Sequence, residues 1–154
     1  MKQFRNAAFA ISAFAVALFA ADSPFVGTWK LTASKSKRDD GRLASSATMK
    51  LEAEGNGLKA TVDSTDAQGK PVNFTYSASF DGNPSSVSGH PNVDEITLHR
   101  VNDHTINATG KKGGKVVFTE RRTVSKDGKT MTLSRNGTNP EGKKFHAAMV
   151  FDKQ

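Results

Sequence analysis

Four histidines, His90, His99, His104 and His146, are the side chains best suited to hold a metal or move a proton, and their spacing suits neither task. They form no H-E-x-x-H pair, and none of the 154 residues is a cysteine that would complete a ligand set. GKKGGK at 110–115 has the glycines and lysines of a phosphate loop. It lacks the required gap and the Ser or Thr after the lysine, and a strand pattern rather than a helix follows it, so it reads as a basic hairpin turn. The neighbouring carboxylates Asp39 with Asp40 and Asp94 with Glu95 stand in loop surroundings, where solvation is expected and a shifted pKa is not. The serines have no nucleophile elbow around them. The sequence therefore predicts no catalytic residue, no metal and no cofactor, and the protein is expected not to be an enzyme.

Three charged residues alternate onto an otherwise apolar face. Arg100 follows Ile96 and Leu98 in register, and Glu120 and Arg122 stand between Val116, Phe118 and Val124. If these side chains point inward, Glu120 and Arg122 can pair, because an isolated buried charge is costly, and Arg100 can orient a polar ligand head. If the strands end near water, all three are simply solvated. Both readings stand at this level.

The elements that carry them are strands. Val72, Phe74, Tyr76, Ala78 and Phe80 fall at every second place with polar residues between them, the period of a sheet with one dry face. Shorter ladders recur at 49–53, 58–62, 116–124 and 145–151. Turn residues separate them: GNG at 55–57, DAQGK at 66–70, DGNP at 81–84, GHPN at 89–92, KGG at 112–114, DG at 127–128 and NPEG at 139–142. Gly114, Gly128 and Gly142 are spaced by 14 residues, as are Gly55 and Gly69, a step that suits one long strand and its turn. These signals predict an all-β, up-and-down antiparallel meander of about eight to ten strands, with the short run PSSVSG at 84–89 the doubtful one. Such a meander hides its dry face and its edges by closing into a barrel; a flattened two-sheet sandwich is the rival. Inward ladders that mix Phe and Trp with Ala53, Ala60, Ala78, Ala108 and Ala147 leave the interior either hollow or tightly packed.

Ahead of this domain, Lys2 and Arg5 precede an uncharged apolar run at 7–20 that ends in small residues. That is the pattern of a signal peptide at 1–21, with the domain at 22–154. The run is too short for a bilayer core of roughly 30 Å, so no stable membrane anchor is expected after cleavage, and the protein is expected to be secreted or periplasmic. Of 22 Lys and Arg, 20 remain beyond Lys2 and Arg5 against 15 Asp and Glu, a net charge of +5. Spread along the chain, that charge solvates a surface rather than marking a nucleic-acid site.

The stretch FVGTWKL at 25–31, with the chain's one tryptophan, heads the first strand. It resembles the first-strand signature of the calycin superfamily, the lipocalins and fatty-acid-binding proteins. SKDGKTMTL at 125–133 is similar to the late hairpin of the fatty-acid-binding proteins, and the final VFDKQ to their closing strand. The whole chain looks like a small exported lipocalin-like protein of bacteria. The resemblance implies a ligand inside the barrel, held by Trp29 at the closed end and by Phe74, Tyr76, Phe118, Phe145, Met149 and Phe151 on the wall, with Arg100 near a polar head. Two departures bear on that ligand. KSKRDDGRLASS at 35–46 is too short for the helix-turn-helix lid of the fatty-acid-binding proteins, and Met149 and Phe151 stand where their carboxylate-binding arginine and tyrosine would be. A neutral or weakly polar hydrophobic ligand is expected. The alternative is an interaction or inhibitor module whose basic loops, Lys35, Lys37, Arg38, Arg42, Lys111, Lys112 and Lys115, make weak contact with anionic envelope polymers.

Overall fold

The computed structural model describes residues 23–154, so the expected leader lies outside the described residues. The strands are β1 (Gly27–Leu31), β2 (Lys37–Arg38), β3 (Ser46–Glu54), β4 (Gly57–Thr65), β5 (Pro71–Ser79), β6 (Ser85–Ser88), β7 (Glu95–Asn102), β8 (Thr105–Lys112), β9 (Lys115–Val124), β10 (Thr130–Thr138) and β11 (Lys144–Lys153). One 3-10 turn, Ala33–Lys35, joins β1 to β2.

From β3 to β11 each strand pairs antiparallel with the next. β1 then closes the ring: Trp29 lies opposite Met49 of β3 on one side and Lys153 of β11 on the other. Ten strands thus form a closed meander barrel, and the sandwich alternative falls because the sheet has no second layer. β2 is a short continuation of the β1 edge along β11, with Arg38 opposite Ala147. Between the two, the 3-10 turn leaves that edge of β11 without a strand partner, and Ser36 Oγ accepts the Val150 N–H at 2.9 Å in its place.

The alternation read from the sequence is the wall of this barrel. In β9, Phe118, Glu120, Arg122 and Val124 are buried while Thr119, Arg121 and Thr123 are exposed. The evenly spaced glycines sit in the hairpin turns, and Gly128 and Gly142, at φ 73° and 80°, take the left-handed backbone that a Cβ disfavours. PSSVSG does form a strand, β6, but it pairs through only two residues with β5 and two with β7.

The two ends of the barrel differ. At the end where β1 begins, Phe25, Trp29, Leu98, Ile106, Val124 and Met131 are essentially inaccessible, and the Trp29 indole N–H donates to the Phe25 carbonyl at 2.8 Å. Burying side chains of this size contributes about 1.5–3 kcal/mol each, and this end is the solid part of the core. Toward the other end β5 becomes progressively wetter, from buried Ala78 and Tyr76 to half-buried Phe74 and Val72.

Candidate ligand-binding cavity

At the wetter end the barrel is hollow. One lobe, of about 340 Å³, is lined by Arg38, His90, Val93, Lys112, Val117, Phe118, Arg135 and Phe145 among others. A second, of about 280 Å³, is lined by Ala47, Met49, Val62, Phe74, Leu133, Met149 and Phe151, and again by Arg38, His90 and Arg135. A recess of about 40 Å³ beneath them reaches Tyr76 and Arg122. His90 and Arg135 border all three spaces, which adjoin one another around these two side chains.

Register explains how the sequence builds this interior. Ala108, Glu120, Arg135, Ala147 and Arg38 pair in turn across β8, β9, β10, β11 and β2, one row around the inner wall. The next row toward the mouth is Gly110, Phe118, Gly137 and Phe145. The glycines leave room for the rings: a Cβ on Gly110 would lie 2.1 Å from Phe118, and one on Gly137 would lie 2.7 Å from Phe145. The rings lie against the bare backbone, and each serves as a platform for a guanidinium. Arg135 stands 4.1 Å from the Phe118 ring centroid and Arg38 stands 3.8 Å from that of Phe145.

Carboxylates fix the other edges of both arginines. Arg38 grips Asp40 through Nε at 2.6 Å and Nη2 at 2.9 Å. Glu120 accepts Arg135 Nε at 2.6 Å on one oxygen and Arg122 Nε at 2.5 Å on the other. Arg122 completes the cluster by donating from Nη1 to the Tyr76 hydroxyl at 2.7 Å. Burial by itself would raise the Glu120 carboxyl, but Arg135 and Arg122 outweigh it and hold it below the usual range. The hydrogen bond from Arg38 likewise lowers Asp40. His90 is lowered to about 4, first by burial and then by Arg135 and Lys112, so it is neutral at ordinary pH. Its ring meets Phe74 edge-on at 4.9 Å, and its Nδ1 accepts the Asn92 N–H at 3.0 Å.

Of the residues expected to contact a ligand, Phe74, Tyr76, Phe118, Phe145, Met149 and Phe151 border the interior. Trp29 and Arg100 do not. Trp29 is fully buried in the solid end, and Arg100 lies by the β7–β8 turn, 5.0 Å from the Phe80 ring, with Nε buried and without an acceptor among the described residues. Glu120 and Arg122 take the inward, mutually paired alternative. Other loop expectations change. Asp40 is not a solvated loop carboxylate, because its side chain is only 9% exposed against Arg38. Nor is Arg38 a free loop cation; Arg42 pairs with Glu141 and Lys111 with Glu95, while Lys35, Lys37, Lys112 and Lys115 are exposed. Among the described residues no three His, Cys, Asp or Glu side chains cluster as a metal site would require.

No family model matches the chain, and no curated protein matches it. Solved structures do. EF1p2_mFAP2b bound to DFHBI is 10% identical with a TM-score of 0.54, over 87% of this chain and 97% of that one. Zebrafish ileal bile acid-binding protein complexed with cholic acid is 8% identical with a TM-score of 0.51, over 86% of this chain and all of that one (100%). At such identities the likeness is one of architecture: this chain has a calycin-like fold, a closed ten-strand antiparallel barrel.

Proposed function

We propose that this is an exported binding protein that holds one small, mostly apolar molecule in the open half of its barrel and does no chemistry on it. The observation that carries the reading is the two-lobed hollow, lined by Phe74, Phe118, Phe145 and Phe151 and open at the wetter end of the barrel. Interiors otherwise pack tightly, and a cavity lined mainly by apolar side chains with a few fixed polar groups is the usual form of a ligand site. Both similar solved structures hold a small organic molecule, DFHBI in one and cholic acid in the other. With Met149 and Phe151 on the last strand, that wall suits a neutral, apolar ligand body. Glu120 is held ionised between two guanidiniums and is a poor proton donor or acceptor, which favours binding over catalysis. Export rests on the leader pattern at 1–21. The basic-loop alternative has less support, because Arg38 and Arg42 are already engaged by Asp40 and Glu141.

Native mass spectrometry of protein purified without detergent is expected to show a bound small molecule, or the emptied protein is expected to take up the neutral dye N-phenyl-1-naphthylamine saturably at one per chain. A clean apo mass together with no saturable dye uptake would overturn the reading.

A further inference from the structure

The interior carries more positive than negative charge. Three buried or half-buried cationic side chains, Arg38, Arg122 and Arg135, border it or its recess, while Lys112 at the rim is exposed and Arg42 and Asp66 on the second lobe are opposite in charge. The carboxylates bonded to the three guanidiniums are two, Asp40 and Glu120. Glu120 alone answers both Arg122 and Arg135, and the Arg122 side chain is only 3% exposed. Excess charge in a poorly solvated place is costly unless a counter-charge joins it.

Arg135 is where that counter-charge can arrive. Glu120 holds its Nε and Nη2 edge, whereas Nη1 donates to no acceptor among the described residues. Its side chain keeps 23% exposure while bordering both lobes. Arg38 shares its row and also borders both lobes, two strands away across the small side chain of Ala147. Each guanidinium is held by a carboxylate on one edge and by a phenylalanine face below, so it needs little ordering to receive a ligand. Pre-organised guanidiniums form strong charge-assisted hydrogen bonds with carboxylate, sulfonate or phosphate oxygens.

We infer that the ligand is an amphipathic anion: its single acidic head sits against Arg135 and Arg38 where the two lobes meet, and its apolar body occupies the second lobe beneath Met149 and Phe151. This rests on the binding reading and revises the neutral ligand expected from the last strand. The missing arginine and tyrosine there remove one anion site, while a different pair on β10 and β2 supplies another.

Two dyes that differ by one sulfonate separate the claims. 8-Anilinonaphthalene-1-sulfonate is expected to bind at least about tenfold more tightly than N-phenyl-1-naphthylamine, the scale of one well-placed charged hydrogen bond. Arg135→Met and Arg38→Met are each expected to weaken the sulfonate about tenfold and to leave the neutral dye unchanged. Arg38→Met keeps the test alive should loss of the Glu120 partner unfold the other variant. Inorganic sulfate at matched ionic strength is expected not to displace the sulfonated dye; full displacement would mean a site for a free anion and would overturn the amphipath. Equal affinity for the two dyes, or variants that weaken both alike, would overturn the inference while leaving the carrier reading intact. Failure of both dyes to bind would overturn the inference, and together with a clean apo mass it would remove the carrier reading as well.

Discussion

His90 occupies a place that elsewhere in this chain belongs to aspartate or asparagine. At Asp66, Asp81, Asn102, Asp127 and Asn139 the side-chain oxygen accepts the N–H two residues on, at 2.9–3.1 Å; at His90 the imidazole Nδ1 does the same. The histidine therefore makes a turn and lines the cavity at once. Because its folded pKa, about 4, lies below the ordinary 6.5, the unfolded chain takes up its proton first as pH falls. Stability is fully present above about 6.5 and is lost progressively down to about 4, by on the order of 2 kcal/mol after allowance for solvent screening. Asn at this position keeps the acceptor and cannot titrate, so His90→Asn is expected to flatten the pH 4–6.5 limb of a urea-unfolding series. Glu120 and Asp40 are also depressed and lose their contribution only at more acidic pH, below their ordinary carboxyl values. Glu120→Gln is expected to cost about 3–5 kcal/mol at neutral pH, since it strips the counter-charge from the nearly inaccessible Arg122; guanidinium-induced unfolding measures it. Two-residue spacing offers the Glu120–Arg122 pair as one of two readings, with solvation at the strand ends the other, and the inward burial of both side chains decides it. Arg135 shares that period with Met131 and Leu133, but its inward role depends on Glu120 across the β9–β10 ladder, which spacing within one strand does not give.

At the scale of elements, the β8–β9–β10–β11 wall depends on two glycines that no turn requires. Gly110 and Gly137 lie within strands near their mouth-side ends, and the Phe118 ring fills the space beside the first while the Val117 carbonyl and the Phe145 ring crowd the second. Gly110→Ala is expected to displace the Phe118 ring and the guanidinium above it, costing about 1–3 kcal/mol as overpacked cores do and weakening dye binding in the same variant. β6 is the opposite case. With two paired residues on each side it is the thinnest part of the wall, and its amides are expected to exchange with deuterium well before those of β10, which is paired along its length on both sides. Long ladders and glycine-bearing turns announced themselves by period. The role of β2 could not, because what turns Arg38 inward is pairing with Ala147 on the last strand, a contact set by closure of the barrel and not by any local pattern.

For the whole molecule, closure alone leaves open whether a ten-strand tube is filled or empty, and here the chain does both at opposite ends. The sequence reading sets Trp29 at the closed end, where the structure places it, yet also among the ligand contacts, which its depth rules out. Its ring is fully buried at the solid end, whereas half-buried Met149 borders the second lobe, where the neighbouring strand is interrupted by the 3-10 turn. Stability and binding should therefore separate along the barrel axis. Trp29→Phe removes indole volume and leaves the Phe25 carbonyl without its donor, and is expected to cost about 1–3 kcal/mol with dye affinity unchanged. Met149→Trp places a larger ring into a lobe of about 280 Å³, and is expected to change stability by less than about 1 kcal/mol, below the usual cost of overpacking, while reducing dye binding severalfold. Paired thermal melts and dye titrations check both. If instead both variants lost stability and kept binding, the space beside Met149 would belong to the packed core and not to the hollow, and the solid end would have to be extended to include the second lobe.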